Sequence, residues 1–480
     1  MINLKFIPSI RRGVAYALVL ALIFFVQCQT KTNENRSQKP SLKDSLKVSL
    51  KSNGIIGVVQ PQVLCDSNKA YSYALYLPHS YDTSKKYAVA FLFDPHGNGA
   101  RPLTLYTPLA DKYHYILVGS NNCRNGLPWE NIKEISQVMI KEILNKYAID
   151  TKRIYTIGFS GGARIASALA ISSAQITGVT SIGAGFQNSN ANLTYNFDFF
   201  GMAGHSDFNM TELLTLDQML STTKMQHYTH FYEGKHEWAS SEEMNYAFLW
   251  HEFQAIKTHK IALNKKEIDE FTSKELNLAR DAKNLRHLDK EHNALSRVVS
   301  FTEGLQDIST YKQNLEKLAS SPSLLNLQKK REQIKKEEED ISKSYFKSLK
   351  TNSITWWKNE INKRKKNTTK SNLGEVQMNE RLLGFLGLAT YMLANNAVNN
   401  KDQKMAEKLL QIYEWLEPAN PEVYYLKACM ESELGKKEVA LASLNKSIML
   451  GFKDYTRLKS EIHFSVIQND PQFLKILADK

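Results

Sequence analysis

From residue 55 to about 256, short apolar runs alternate with amphipathic stretches. The runs Tyr71–Leu77, Tyr87–Phe93, Tyr115–Gly119, Ile154–Gly158, Val179–Ala184, Phe197–Ala203 and Tyr228–Tyr232 read as strands. Between them, Leu103–Lys112, Trp129–Tyr147, Gly161–Ser173, Asn209–Ser221 and Ala239–Ala255 carry helical spacing. Most of the strand runs are continuously apolar, as strands buried on both faces are, so the pattern predicts an α/β unit with a mostly parallel sheet covered by helices. Tyr71–Leu77 alternates more, and it is expected to be an antiparallel edge strand.

After residue 256 the strand signals stop. Residues 257–370 read as a charged helical region with breaks at Ser320-Ser321-Pro322 and at Thr351–Ser353, and the basic run Lys363–Lys370 reads as a linker or loop. Residues 371–480 read as a second helical domain. Pro421 opens a helix and Ala428 follows on its inner face. Leu434-Gly435 makes a turn, and Ala440, Leu444 and Ile448 mark a returning helix. This spacing is similar to a tetratricopeptide hairpin, with Leu382–Ala397 and Lys404–Leu416 as a degenerate upstream pair. Such hairpins are stable only when stacked on neighbouring helices.

Composition changes this picture little. The net charge is +13, but basic and acidic residues are interleaved along helical stretches such as Lys329–Glu339. That is the pattern of a solvated helix face, and no nucleic-acid partner is expected.

The N-terminus adds a location. Arg11 and Arg12 precede Val14–Val26, a charge-free run of 13 residues. A membrane-spanning helix needs about 18 or more, so residues 1–27 read as a signal peptide. Cys28 ends the run, and residues 28–54 are a polar tether. A cysteine at this point resembles a bacterial lipoprotein signal, which implies lipidation of Cys28 and anchoring in the cell envelope; cleaved secretion, leaving a soluble secreted or periplasmic protein, and an uncleaved anchor are the alternatives. Export permits disulfides. Cys65 and Cys123 either pair or remain thiols, and sequence does not give their distance. No Cys/His spacing fits a zinc site, and neither metal nor cofactor is expected.

The candidate chemistry lies at the ends of three strands. Gly158-Phe159-Ser160-Gly161-Gly162 places a glycine-flanked serine between a strand and a helix. Gly204-His205-Ser206-Asp207 and Gly234-Lys235-His236-Glu237-Trp238 each follow a later strand. A serine hydroxyl needs a base to become a nucleophile, an imidazole can supply it, and a carboxylate fixes the imidazole tautomer.

With Phe93-Asp94-Pro95-His96-Gly97-Asn98-Gly99 and Gly119-Ser120-Asn121-Asn122, these motifs make residues 60–256, within the expected domain 55–256, resemble the α/β-hydrolase superfamily. The closest branch is its exported esterases, which include dienelactone-hydrolase-like, feruloyl-esterase-like and polyhydroxybutyrate-depolymerase-like proteins. The resemblance implies Ser160 as nucleophile, His236 as base and Asp207 as acid, with Asp198 the competing carboxylate. It implies backbone oxyanion donors at Gly161 and at Gly97 or Asn98. His96, Asn121, Asn122, Arg124 and Trp129 are candidate pocket residues, and Trp238 either packs over the base or joins the core.

The sequence thus points to an exported serine hydrolase acting on carboxylic esters in a small molecule or an acylated polymer. The helical half is a candidate surface for a protein partner. The alternatives are a non-catalytic lipoprotein scaffold and a serine peptidase of the same fold.

Overall fold

A computed structural model of the chain describes residues 54–186, 195–369 and 372–478. The expected signal peptide, Cys28 and all of the tether except Gly54 lie outside the described residues. The chain divides into two compact units, one ending at Leu325 and the other beginning at Asn326.

Among its described residues the first unit is built on eight strands: β1 (Gln60–Leu64), β2 (Ser72–Tyr76), β3 (Tyr87–Phe93), β4 (Tyr115–Ser120), β5 (Ile149–Phe159), β6 (Gly178–Ile182), β7 (Asp198–Gly204) and β8 (His227–Tyr232). They form one sheet in the order β1-β2-β4-β3-β5-β6-β7-β8. Strand β2 runs antiparallel to both β1 and β4, and all other neighbours are parallel. This is the α/β-hydrolase fold.

Side-chain alternation along β3 explains the layers. Val89, Phe91 and Phe93 enter one core, while Ala88, Ala90 and Leu92 enter the other. The first face is covered by α2 (Trp129–Lys146), α3 (Gly161–Ser172) and α4 (Met210–Leu220), through residues such as Met139, Leu169 and Leu213. The second is covered by α1 (Ala100–Tyr113) and α5 (Ser241–Lys257), through Leu103, Tyr106, Phe248 and Phe253. Every residue of β3, β4 and β6 is buried, which is why these segments read as unbroken apolar runs.

Two expectations need correction here. The antiparallel strand at Ser72–Tyr76 is not the edge, because β1 pairs outside it. Strand β1 is short and largely solvent-facing, so its sequence carries no apolar signal. The sheet-bearing unit also continues past residue 256. Helices α6 (Lys265–Asn284) and α7 (Leu288–Thr302) belong to it, followed by α8 (Ser309–Ala319). Phe271 and Phe301 stack at 5.1 Å, and Phe301 meets Trp250 and Tyr228 at the same centroid distance. Beside them Glu275, fully buried, receives Arg297 Nε at 2.8 Å and the Tyr246 hydroxyl at 3.0 Å. The charged exteriors of these helices hid an apolar face committed to the sheet.

The second unit is helical. The helix Pro322–Thr351 (α9), within which the division falls, is followed by α10 (Ile354–Asn367), α11 (Leu373–Asn399), α12 (Gln403–Leu416), α13 (Pro421–Glu433), α14 (Lys437–Met449), α15 (Tyr455–Ser460) and α16 (Pro471–Ala478). Helices α13 and α14 form a hairpin through Gly435, whose φ is +71°, with Ala428, Ala440 and Leu444 buried. The basic run expected as a loop is helical to Asn367. Arg364 binds Glu360 at 2.7 Å one turn earlier, and the cations of the last turn favour the helix C-terminus. A buried Arg381–Glu338 pair ties α11 to α9.

Candidate active site

Ser160 stands at the junction of β5 and α3 with φ +53° and ψ −119°, a conformation costly for any residue with a side chain. The neighbouring glycines allow it. A Cβ on Gly158 would strike the Gly162 carbonyl, and one on Gly162 would strike the Phe93 carbonyl. The backbone is held by Ser160 N–H donating to Ile182 O at 2.8 Å. The hydroxyl makes no helix-capping bond, which leaves it for another partner.

That partner is His236, whose Nε2 lies 2.9 Å from Ser160 Oγ. Its Nδ1 lies 2.9 Å from Asp207 Oδ1. Asp207 is buried, and Asn209 N–H donates to the same Oδ1 at 2.8 Å. Phe208 and Phe159 pack on the imidazole with centroids at 4.1 and 4.7 Å. Gly204 and Gly234 lie in backbone contact, so the loops leaving β7 and β8 start side by side. The three residues named from sequence are therefore joined in one hydrogen-bonded chain. The competing Asp198 opens β7, whereas Asp207 follows the other end of that strand, and burial pushes the Asp198 carboxyl up to about 6.

The loop after β3 departs from expectation. Asp94 is fully buried and folds the loop around itself. His96 N–H donates to its Oδ1 at 2.8 Å, Asn98 N–H to the same oxygen at a long 3.5 Å, and Gly97 N–H to its carbonyl at 3.0 Å. The Gly97 N–H, one of the two expected to face the oxyanion, is thus spent inside the loop, while the Asn98 N–H makes only the long contact. The cause is the Asp94-Pro95 lead-in, which makes a self-bonded Asx turn. Gly161 remains: as the first residue of α3, it has no intrahelical acceptor for its N–H.

The expected pocket residues separate. Asn121 accepts from Gly99 N–H at 3.1 Å and donates to Pro61 O at 3.0 Å; Asn122 accepts from Ser72 N–H at 2.7 Å. Both carboxamides hold strand-end loops together instead of facing a ligand. Trp129 packs half-buried against the first core. His96 is exposed. Trp238 is buried, donates to Asp94 Oδ2 at 2.9 Å, and forms, with Arg101, Thr104, Leu105 and Glu237, the wall of a cavity of about 480 Å³. Cys65 and Cys123 are free buried thiols, and burial pushes Cys65 up to about 11.

Sequence reasoning passed over three features. Gly183 has φ +64°, and a Cβ there would stand 2.8 Å from Asp207 Oδ2. Arg164, one turn past Ser160, grips Glu212 through two bonds of 2.8 Å, and Glu212 also accepts from Gly185 N–H at 2.9 Å. Asn125 fills the space beside Gly161, where a Cβ would fall inside its carboxamide. Only the Asn125-Gly126 pair, a turn signal, marked that position in the sequence.

Fold and site together define a hydrolase-fold unit carrying a Ser–His–Asp chain. No protein-family model matches the sequence, and no curated protein is similar to it. Among solved structures, the chain is similar to an S-formylglutathione hydrolase from Staphylococcus aureus, at 13% identity and TM-score 0.34, over 41% of this chain and 99% of that one. It is also similar to a ferulic acid esterase from Anaeromyces mucronatus, at 14% identity and TM-score 0.34, over 41% and 91%. A third is a feruloyl esterase module from Clostridium thermocellum, at 15% identity and TM-score 0.33, over 39% and 84%.

Proposed function

We propose that this chain is a serine hydrolase acting on carboxylic esters through an acyl-enzyme. The observation that carries the reading is the continuous chain Ser160 Oγ–His236–Asp207, with both links at 2.9 Å and the serine in a strained turn. His236 Nε2 takes the hydroxyl proton as Oγ attacks the acyl carbon, and Asp207 holds the imidazole in the tautomer that can accept it. The leaving alcohol receives that proton from His236. Water then attacks the acyl-enzyme by the same route. An apolar floor of Phe159 and Phe208 beside the imidazole keeps the proton transfer away from bulk water.

Export and a lipid anchor at Cys28 complete the proposal, on the strength of the charge-free run ending at that cysteine. Its substrates would then be esters outside the cytoplasm. Hydrolysis of p-nitrophenyl acetate by the purified protein tests the chemistry. Ser160→Ala and His236→Ala should each lower kcat by about 10³-fold or more. Loss within tenfold in either variant would remove that residue from the mechanism.

A further inference from the structure

We propose that the side chain of Asn125 is a catalytic group of this site: its carboxamide N–H donates to the oxyanion formed when Ser160 attacks an ester carbonyl, and together with the Gly161 N–H it makes the two-donor hole. This deepens the serine-hydrolase reading and rests on it.

The first argument is position. Asn125 occupies the volume that a side chain on the residue after the nucleophile would take. A Cβ on Gly161 would stand 2.7 Å from Asn125 Cγ and 3.0 Å from Nδ2, and would overlap Oδ1. The absence of a side chain at Gly161 lets this carboxamide lie directly against the residue after the nucleophile. The free N–H of Gly161 and the amide of Asn125 therefore border the same space beside Ser160.

The second argument is supply. A tetrahedral intermediate needs about two preorganised donors. The loop after β3, the ordinary source of the second, has its N–H groups at His96, Gly97 and Asn98 turned to Asp94. The His96 and Gly97 N–H groups are firmly engaged and Asn98 makes only a long contact of 3.5 Å, so a donor from the loop between β4 and α2, which reaches the spot, completes the pair.

The third argument is availability. Asn125 is fixed by its backbone, whose N–H donates to Pro95 O at 2.9 Å. Its carboxamide makes no hydrogen bond to any described residue and is exposed. A half-turn about the Cβ–Cγ bond axis exchanges its oxygen and nitrogen at little steric cost, so Nδ2 can be presented to an incoming carbonyl.

In the step itself, Ser160 Oγ bonds to the acyl carbon and its proton passes to His236 Nε2. The carbonyl π pair becomes a lone pair on oxygen, which is where the two N–H groups act. Collapse restores the carbonyl and breaks the bond to the alkoxide, which leaves with the proton from His236. A neutral amide stabilises the transient charge without holding a carboxylate product.

The test is steady-state hydrolysis of p-nitrophenyl acetate by the full chain with Asn125→Ala and Asn125→Asp, alongside thermal denaturation of each. Asn125→Ala should lower kcat by about 10²-fold with KM changed less than about threefold. Asn125→Asp is isosteric and keeps the packing against Gly161, yet places an acceptor-only anion beside a developing anion; it should be slower than Asn125→Ala. A role confined to filling space gives the opposite order. If Asn125→Ala keeps kcat within about threefold, or Asn125→Asp outperforms it, the proposal is overturned while Ser160-dependent hydrolysis stands. If the unmodified protein shows no hydrolysis that Ser160→Ala abolishes, the underlying reading fails and this inference with it. Should the alanine variant unfold, Asn125→Asp decides: activity close to that of the unmodified protein overturns the proposal.

Discussion

The indole N–H of Trp238 reaches the buried carboxylate of Asp94 at 2.9 Å, across 144 positions of sequence. Through this bond the loop that carries His236 is tied to the loop after β3. The same carboxylate takes the His96 N–H, and Tyr106 packs edge-on against the indole at 6.1 Å while its hydroxyl binds Ala239 O. The base and the loop facing it are held as one piece.

Trp238→Phe removes the donor and leaves Asp94 Oδ2 buried without a partner. A lost partner of this kind costs about 1–3 kcal/mol. Thermal denaturation should show that loss, and kcat/KM for an aryl ester should fall by roughly tenfold as both loops loosen. Unchanged stability and kinetics would mean the bond does not hold the site.

Gly183→Ala should be more severe for chemistry than for folding. The residue has φ +64°, and its Cβ would meet Asp207 Oδ2 at 2.8 Å and His236 Nδ1 at 3.1 Å. The dyad has to move, and a displacement of about 1 Å costs about 10²-fold in rate. The strained backbone adds about 1–3 kcal/mol of destabilisation. A variant with the kcat of the unmodified protein would show that the Asp207–His236 geometry is not what sets the rate.

The two aspartates of the β7 segment should separate cleanly. Asp207→Asn is expected to lower kcat by about 10³-fold or more, through loss of the correct imidazole tautomer. Asp198→Asn is expected to leave kcat unchanged and to alter the pH dependence of stability. Burial raises the Asp198 carboxyl in the folded state to about 6, from 3.8. The folded form therefore binds a proton more tightly than the unfolded one. The cost of its charge appears as pH rises from about 4 to 6 and is complete above 6. It amounts to no more than about 3 kcal/mol. Denaturant unfolding of Asp198→Asn should show a gain above pH 6 that vanishes near pH 4. Loss of activity in this variant would return Asp198 to candidacy.

The boundary after α5 makes a further prediction. A chain cut at residue 256 strips Phe301 from Trp250 and Tyr228 and Phe271 from Phe253, and opens an apolar face. Residues 54–325 should be soluble and hydrolyse p-nitrophenyl acetate, whereas residues 54–256 should aggregate or unfold at lower temperature. Equal stability of the two fragments would show that α6 and α7 are not part of the sheet-bearing unit.

Much of the frame was legible because its physics is local. The apolar runs of β3, β4 and β6 announce a doubly covered sheet, and the glycines around Ser160 announce a turn in which no Cβ fits. The order Ser160, Asp207, His236 could be read because each residue follows its own strand. What escaped is what depends on partners far away in sequence. The Asp94-Pro95 lead-in already departed from the family's usual apolar one, but that Asp94 folds the loop around itself, taking the His96 N–H on its carboxylate and the Gly97 N–H on its carbonyl, shows only with the fold around Trp238. Asn121 and Asn122 read as pocket residues because they follow a strand end, but their amides are satisfied by β1, β2 and the loop before α1. Asn125, three positions after Asn122, carried no apolar pattern at all. Lys363–Lys370 read as a linker from charge alone, while Arg364 is buried against Glu360 and Asn379.

The central claim is that Ser160 is an activated nucleophile, and the adduct formed with a fluorophosphonate probe tests it most directly. Mass spectrometry of the digested protein should place one phosphonyl group on the peptide containing Gly158–Gly162, at Ser160. Labelling should disappear in Ser160→Ala and become far slower in His236→Ala. A folded protein that stays unlabelled, or that is labelled equally well without Ser160, would contradict the account.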